Sequence, residues 1–198
     1  MIDDLSVTVL ASGNVGKLKE LQLALSETGL ELHPQSQYQV PEAEEDGLSF
    51  VENALKKARN AAAHTGLPAL ADDSGLVVPA LGGAPGIYSA RYAQGGDSAN
   101  NEKLLMEMRH RHGQERRAWF VCVLVLVRGA TDPCPLIAEG YWYGHIAETS
   151  SGTGGFGYDP LFVIDDIGRT AATLSAAEKQ ALSHRGQAVA ELRQRLGY

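Results

Sequence analysis

At 198 residues the chain can bury one sizeable core or two small lobes, and 44% hydrophobic against 21% charged residues excludes disorder and fibre. A net charge of −7 and a pI near 5.3 argue against a nucleic-acid polymer as partner, because such proteins carry a basic face. The longest apolar stretch, Trp119 to Val127, is far too short to cross a bilayer, and Met1-Ile2-Asp3-Asp4 lacks the pattern of a signal peptide, so a cytoplasmic protein with no membrane partner is expected.

In chain order, the first element is an apolar strand, Val7 to Ala11, followed at once by Ser12-Gly13-Asn14-Val15-Gly16-Lys17 and a helix from Lys17 to about Glu27, with Leu18, Leu21 and Leu25 at helical spacing. A strand that turns through glycines into a helix start exposes unpaired backbone N–H groups, and a lysine beside them completes an anion site. The spacing is not that of the Walker loop, since only Asn14 and Val15 separate the glycines and Leu18 follows the lysine. A short strand, Leu30 to His33, leads into an acidic loop with Glu42, Glu44, Glu45 and Asp46. Such a run is either a solvated face or a source of carboxylates for a hard divalent cation.

Ser49 with Glu52 forms a capping box that opens the next helix, with Phe50, Ala54, Leu55, Ala58 and Ala62 on its apolar face. Asn53, Lys57, Asn60 and His64 fall on the other face, and Gly66 and Pro68 stop the helix. A brief strand, Ala69 to Ala71, is expected to deliver Asp72-Asp73-Ser74-Gly75 at its end, where α/β proteins place ligands. Neighbouring side chains on an extended chain point to opposite sides. The two carboxylates then have different tasks, one holding a metal or water and one bracing the turn, unless both bond backbone N–H groups in an Asx-type turn.

Beyond the loop Leu81-Gly82-Gly83-Ala84-Pro85-Gly86, the pattern predicts a helix around Asn101 to Arg111 and a hairpin of Trp119 to Arg128 with Leu136 to Ile146, its turn containing Asp132. Cys122 reads as core, and Cys134 lies between two prolines; neither a disulfide framework nor a zinc site is indicated. The glycine-dense segment Ser151 to Tyr158 precedes a strand, Leu161 to Ile164. Its Phe156 and Tyr158 either present a flat face for a base or fold into the core. A second capping box, Ser175 with Glu178, opens a helical region interrupted near Gly186, on which Lys179, His184 and Arg185 are hydrogen-bond donors or solvated charges. Together these elements predict an α/β fold with a mixed sheet, in one domain over residues 1–198 and with two lobes flanking a cleft.

Ser12-Gly13-Asn14 with Lys17, Ala71 to Gly75, Leu81 to Gly86, Gly154 to Pro160 and Ser183 to Gly186 stand in the order and spacing of the inosine triphosphate pyrophosphatase family. From Val7 to Leu196 the chain resembles its bacterial branch, the XTP/dITP diphosphatases. The resemblance implies an elongated mixed sheet with helices on it, two lobes with the active site in the cleft, a homodimer, and magnesium-dependent hydrolysis of ITP, dITP and XTP to the monophosphate and pyrophosphate. It also implies that Ser12, Gly13, Asn14, Val15, Gly16, Lys17 and Lys57 hold the triphosphate, and that Asp73 is the proton acceptor and a magnesium ligand. Ser74 contacts substrate on the same basis, Phe156, Gly157, Tyr158 and Asp159 form the base pocket, and Lys179, His184 and Arg185 complete it. The second metal ligand is expected to be Glu44, with Glu45 its rival. A nucleotide-sensing module would need no acid pair beside a metal, and a P-loop enzyme would need the Walker spacing.

Overall fold

The computed structural model describes residues 5–13 and 15–198, without the side chains of residues 15, 16 and 19, so the expected phosphate contact at Asn14 lies outside the described residues. A six-stranded sheet runs in the order β2-β1-β3-β4-β5-β6, with β1 Val7–Leu10, β2 Glu31–Pro34, β3 Ala69–Val77, β4 Arg117–Val127, β5 Leu136–Ile146 and β6 Phe162–Ile164. β1 is parallel to β2 and β3, whereas β5 and β6 are antiparallel, so the sheet is mixed as the sequence predicts. The helices are α1 Val15–Ala24, α2 Phe50–Thr65, α3 Gly96–Met108, α4 Ala176–Leu182 and α5 His184–Leu196. Among the described residues no helix is long and apolar enough to cross a membrane.

The chain divides into two compact units, one of residues 1–73, 122–140 and 185–198 and the other of residues 74–121 and 141–184. In the first unit, Leu10 of β1, Leu70 of β3, and Leu124 and Leu126 of β4 are buried with Leu21 and Leu25 from the α1 segment and Ala188, Val189 and Leu192 of α5. The helical spacing of the leucines and alanines gives each helix one apolar stripe to lay on the sheet. α2 follows the same logic: Ala54, Ala58, Ala61 and Ala62 are buried. Its N-cap Ser49 accepts from Glu52 N at 3.3 Å, while the Glu52 carboxylate accepts from Leu48 N and Ser49 Oγ. The turn between β4 and β5 is fixed by Asp132, whose carboxylate accepts from the backbone N–H of Arg128 and Cys134, each at 2.9 Å.

The second unit has a more aromatic core, in which the Phe120 and Phe162 rings lie 4.7 Å apart and Trp142 and Phe162 5.4 Å apart. Gly144 of β5 pairs with Ile164 of β6. A Cβ there would come within 2.2 Å of Val163 O and 2.8 Å of the Phe162 ring, so this crossing of backbone and ring admits only glycine.

Several boundaries differ from the sequence expectation: α3 runs from Gly96 to Met108 rather than from about Asn101 to Arg111, and two further differences bear on the site. β3 does not stop at Ala71 but continues through Asp72-Asp73-Ser74-Gly75 to Val77, because Leu76 is wholly buried and resumes the apolar pattern. The C-terminal helical region breaks at Ser183, which has the extended angles φ −69° and ψ 159°, while Gly186 sits inside the first turn of α5.

Candidate active site

The first unit gathers charge around the end of its share of β3. Asp72, with no exposed side-chain surface, accepts from Lys17 Nζ at 2.5 Å on Oδ1 and from Arg185 Nε at 2.8 Å on Oδ2. The Cys122 thiol donates to the same Oδ2 at 3.3 Å. Arg185 also donates to Glu20 at 2.6 Å. Burial alone would push the Asp72 carboxyl up, but Arg185 and Lys17 overcome this and hold it well below the ordinary carboxylate range. Burial likewise opposes charge on Arg185, and Asp72 reverses the effect, raising its value further. Asp72 is therefore an ionised brace between α1, β3 and α5 at neutral pH.

Asp73 is different. Its Oδ1 accepts from Lys57 Nζ at 2.7 Å, whereas its Oδ2 is buried and, among the described residues, has no hydrogen-bond partner. Burial raises the Asp73 carboxyl, and the Lys57 ammonium opposes that rise without cancelling it. Lys57, on the polar face of α2, donates also to Asp72 O at 2.8 Å and to Glu45 at 3.1 Å. Desolvation disfavours its charge, yet Asp73 and then Glu45 raise its value. The ammonium thus holds two carboxylates from different segments around one point. Glu44, by contrast, is exposed. Asp73 Oδ2, without a partner among the described residues, and the Glu45 carboxylate, which Lys57 joins to Asp73, are oxygen donors of the kind that hard divalent cations take. The residues present fit such an ion.

The second unit supplies a distinct cluster. Asp159 is buried and accepts from Phe156 N at 2.9 Å and from Lys179 Nζ at 2.6 Å. The Lys179 ammonium lies 4.4 Å from the centre of the Phe156 ring, which is 37% exposed. Gly155 has φ +74°, and a Cβ there would meet Asp159 Oδ2 at 2.0 Å, so the loop closes on the carboxylate only with glycine. The next peptide is held from α3: Gly157 N donates to Asp97 at 2.6 Å, and Asn101 Nδ2 donates to Gly157 O at 2.8 Å. His184 is buried, its ring stacked on Phe120 at 4.8 Å with 10° between planes.

A profile of the Ham1 family matches residues 8–195. The chain belongs to the Ham1 family. Its sequence is 60% identical over 190 residues to the dITP/XTP pyrophosphatase of Thioalkalivibrio sulfidiphilus, covering 95% of this chain and 97% of that one. It is 56% identical over 193 residues to the dITP/XTP pyrophosphatase of Ralstonia nicotianae, covering 95% of each. Among solved structures, a HAM1 protein from Coxiella burnetii superimposes with TM-score 0.91 at 47% identity, over 96% of this chain and 98% of that one. A nucleoside-triphosphatase, dITP/XTP pyrophosphatase, from Mycobacterium abscessus gives TM-score 0.76 at 43% identity, over 94% and 97% of the two chains. The family resemblance read from the motifs is thereby borne out.

Within this Ham1 chain the expected site residues divide. Lys17, Lys57 and Asp73 come together with Asp72, Glu45 and Arg185, and Phe156, Gly157, Asp159 and Lys179 come together in the other cluster. Ser12 and Ser74 are half-buried. Tyr158 takes the alternative left open for the loop aromatics: it is buried in the core and donates its hydroxyl to Ser89 O at 2.9 Å, which leaves Phe156 as the accessible ring. Arg185, expected at the base, has its guanidinium on Asp72 and Glu20. Sequence reasoning gave no role to Glu20, Asp97 or Asn101, and read Cys122 as core, where it is buried. Glu20 lies one helical turn after Lys17, a spacing that puts both on one face of α1 and was the one available signal.

Proposed function

We infer that this chain hydrolyses the non-canonical purine nucleoside triphosphates dITP, ITP and XTP to the nucleoside monophosphate and pyrophosphate, as a single catalytic domain over residues 1–198. The chain is a hydrolase of the Ham1 family, and near-full-length relatives at 55–60% identity carry the dITP/XTP pyrophosphatase name. The observation that carries the chemistry is the asymmetry of the acid pair. Asp72 is saturated by cations, while Asp73 keeps a buried oxygen without a partner among the described residues and a carboxyl that burial raises toward basicity.

In this reading Asp73 takes a proton from water as the water oxygen bonds to phosphorus, and the α–β anhydride bond breaks with its electron pair leaving on pyrophosphate. Lys17 and the backbone N–H groups that open α1 receive the phosphates, and Lys57 keeps Asp73 aimed while balancing phosphate charge. Asp73 with Glu45 would hold magnesium, which when bound supplies charge neutralisation on the triphosphate. Glu45 takes the place first given to Glu44, because Lys57 joins Glu45 and not Glu44 to Asp73. Phe156 offers its ring to the purine, and Asp159 and Lys179 hold that loop in shape. His184 reads the 6-keto oxygen, where adenine presents an amino group; a donor left unpaired is the penalty that rejects ATP. The enzyme works as a homodimer in the cytoplasm.

The test is pyrophosphate release from ITP, dITP and XTP with magnesium, with ATP and inosine diphosphate as controls. Release from the three keto-purine triphosphates, abolished by chelation and far slower with ATP, is expected. Phosphate in place of pyrophosphate, or equal rates with ATP, overturns the reading.

A further inference from the structure

The acidic loop owes its position to α2. Residues 40–47 are neither helix nor strand, yet four side chains of α2 grip them in sequence. Asn60 Nδ2 donates to Pro41 O at 2.8 Å, Lys57 bonds Glu45, Lys56 bonds Asp46, and Asn53 Oδ1 accepts from Gly47 N at 2.8 Å. Asn53, Lys57 and Asn60 stand at i, i+4 and i+7, one stripe of the helix. Both asparagines hold backbone rather than side chains, so they fix where the loop begins and ends, and the carboxylate of Glu45 falls between these two anchors.

Asn53 is costly for its place. It is 1% exposed, and its Nδ2 is buried and, among the described residues, has no partner. A side chain kept for its oxygen alone, with its nitrogen unsatisfied, is better explained by what the oxygen positions than by its own contribution to stability. The contact is also tight. A Cβ on Gly47 would lie 2.6 Å from Asn53 Oδ1 and 2.8 Å from Glu52 Cβ, so the loop end seats on α2 only with glycine at 47.

We propose that Asn53 and Asn60, with Gly47, are positioning residues that hold the 41–47 loop on α2 and so set the spacing of Glu45 from Asp73 for a divalent cation. The proposal rests on the reading of the acid pair given above and names residues outside it.

The experiment measures Mn2+ binding to the full chain, by the electron paramagnetic resonance signal of the free ion, for the wild type and for Asn53→Ala, Asn60→Ala and Gly47→Ala. Residues outside the ligand set that orient it cost about 10- to 100-fold in metal affinity. All three variants are expected to bind Mn2+ more weakly by that order, while melting temperatures in EDTA stay within a few degrees of wild type. Pyrophosphate release from ITP is then titrated with magnesium, where the activation constant rises and the rate at saturating magnesium recovers. Gly47→Ala removes no functional group, so a loss there reports loop position alone. If Asn53→Ala does not fold, Gly47→Ala and Asn60→Ala decide the matter. Mn2+ affinity unchanged in those two, or no Mn2+ binding by the wild type, overturns the proposal. Absence of ITP turnover with normal, anchor-dependent Mn2+ binding overturns instead the catalytic reading.

Discussion

Asparagine at 72 and asparagine at 73 are the same chemical change at adjacent positions, and their effects on stability should have opposite signs. Asp72→Asn removes the charge facing Lys17 at 2.5 Å and Arg185 at 2.8 Å, while the contact of Arg185 with Glu20 stays. Removing one partner from a buried ion pair costs about 3–5 kcal/mol, and in a chain of this length each 1 kcal/mol moves Tm by about 2–4 °C, so a fall of roughly 6–20 °C is expected. Asp73→Asn keeps the oxygen that accepts from Lys57 at 2.7 Å and discards a carboxylate whose charged form is less favourable in the fold than in the unfolded chain. Its Tm should equal or exceed wild type, while turnover falls about 100-fold or more, the usual cost of a lost general base. The pH dependence follows the same signs. Asp72 is depressed from 3.8, so its contribution is complete above that value and is lost as pH falls through the folded value. Acid unfolding of the wild type below about pH 4 should therefore be steeper than that of Asp72→Asn. Calorimetry and urea titration in EDTA, with ITP turnover measured separately, decide the matter. A Tm loss in Asp73→Asn as large as in Asp72→Asn would refute the division of labour between the two acids.

Lys17→Ala should weaken ITP binding while leaving inosine binding unchanged, by competition titration; equal loss for both would mean that the lysine serves the fold alone. His184→Ala should shrink the ratio of kcat/KM for ITP over ATP by about 2- to 10-fold, the worth of one hydrogen bond. Arg185→Ala should lower both nucleotides alike, because its donors serve Asp72 and Glu20. Lys179→Ala should raise KM for ITP with a smaller change in kcat, since it frees the Phe156 loop rather than touching the phosphates.

What was legible in the sequence was what is local. α2 could be bounded within a residue because Ser49, the alanine stripe and Gly66 all act within one turn of themselves. The two long strands β4 and β5 were equally plain, as alternating or continuous apolar runs on either side of an Asp132 turn. β3 was cut short because Asp-Asp-Ser-Gly reads as a loop when its partners are unknown. Its polarity is neutralised by Lys17, Lys57 and Arg185, the last 113 positions away. The same distance hid the contact of Arg185 with Asp72, a residue that the family resemblance had assigned to the base pocket along with its neighbour His184. Between Phe156 and Tyr158 the choice of core or surface depended on Ser89 O, which no spacing announces.

The thiol of Cys122 gives this protein a built-in clock. It is wholly buried and donates to Asp72 Oδ2, and burial together with that negative charge raises its pKa well above the usual thiol value, so the native state offers almost no thiolate for reaction. Cys134 is exposed, and the chain has no other cysteine. A disulfide reagent added to the folded protein should therefore label once at once, at Cys134, and a second time only when the ionic cluster opens. The slow phase would then time the breathing of the Asp72 cluster directly, in a Cys134→Ser background if needed, without substrate, metal or an engineered probe. Bound triphosphate should lengthen it.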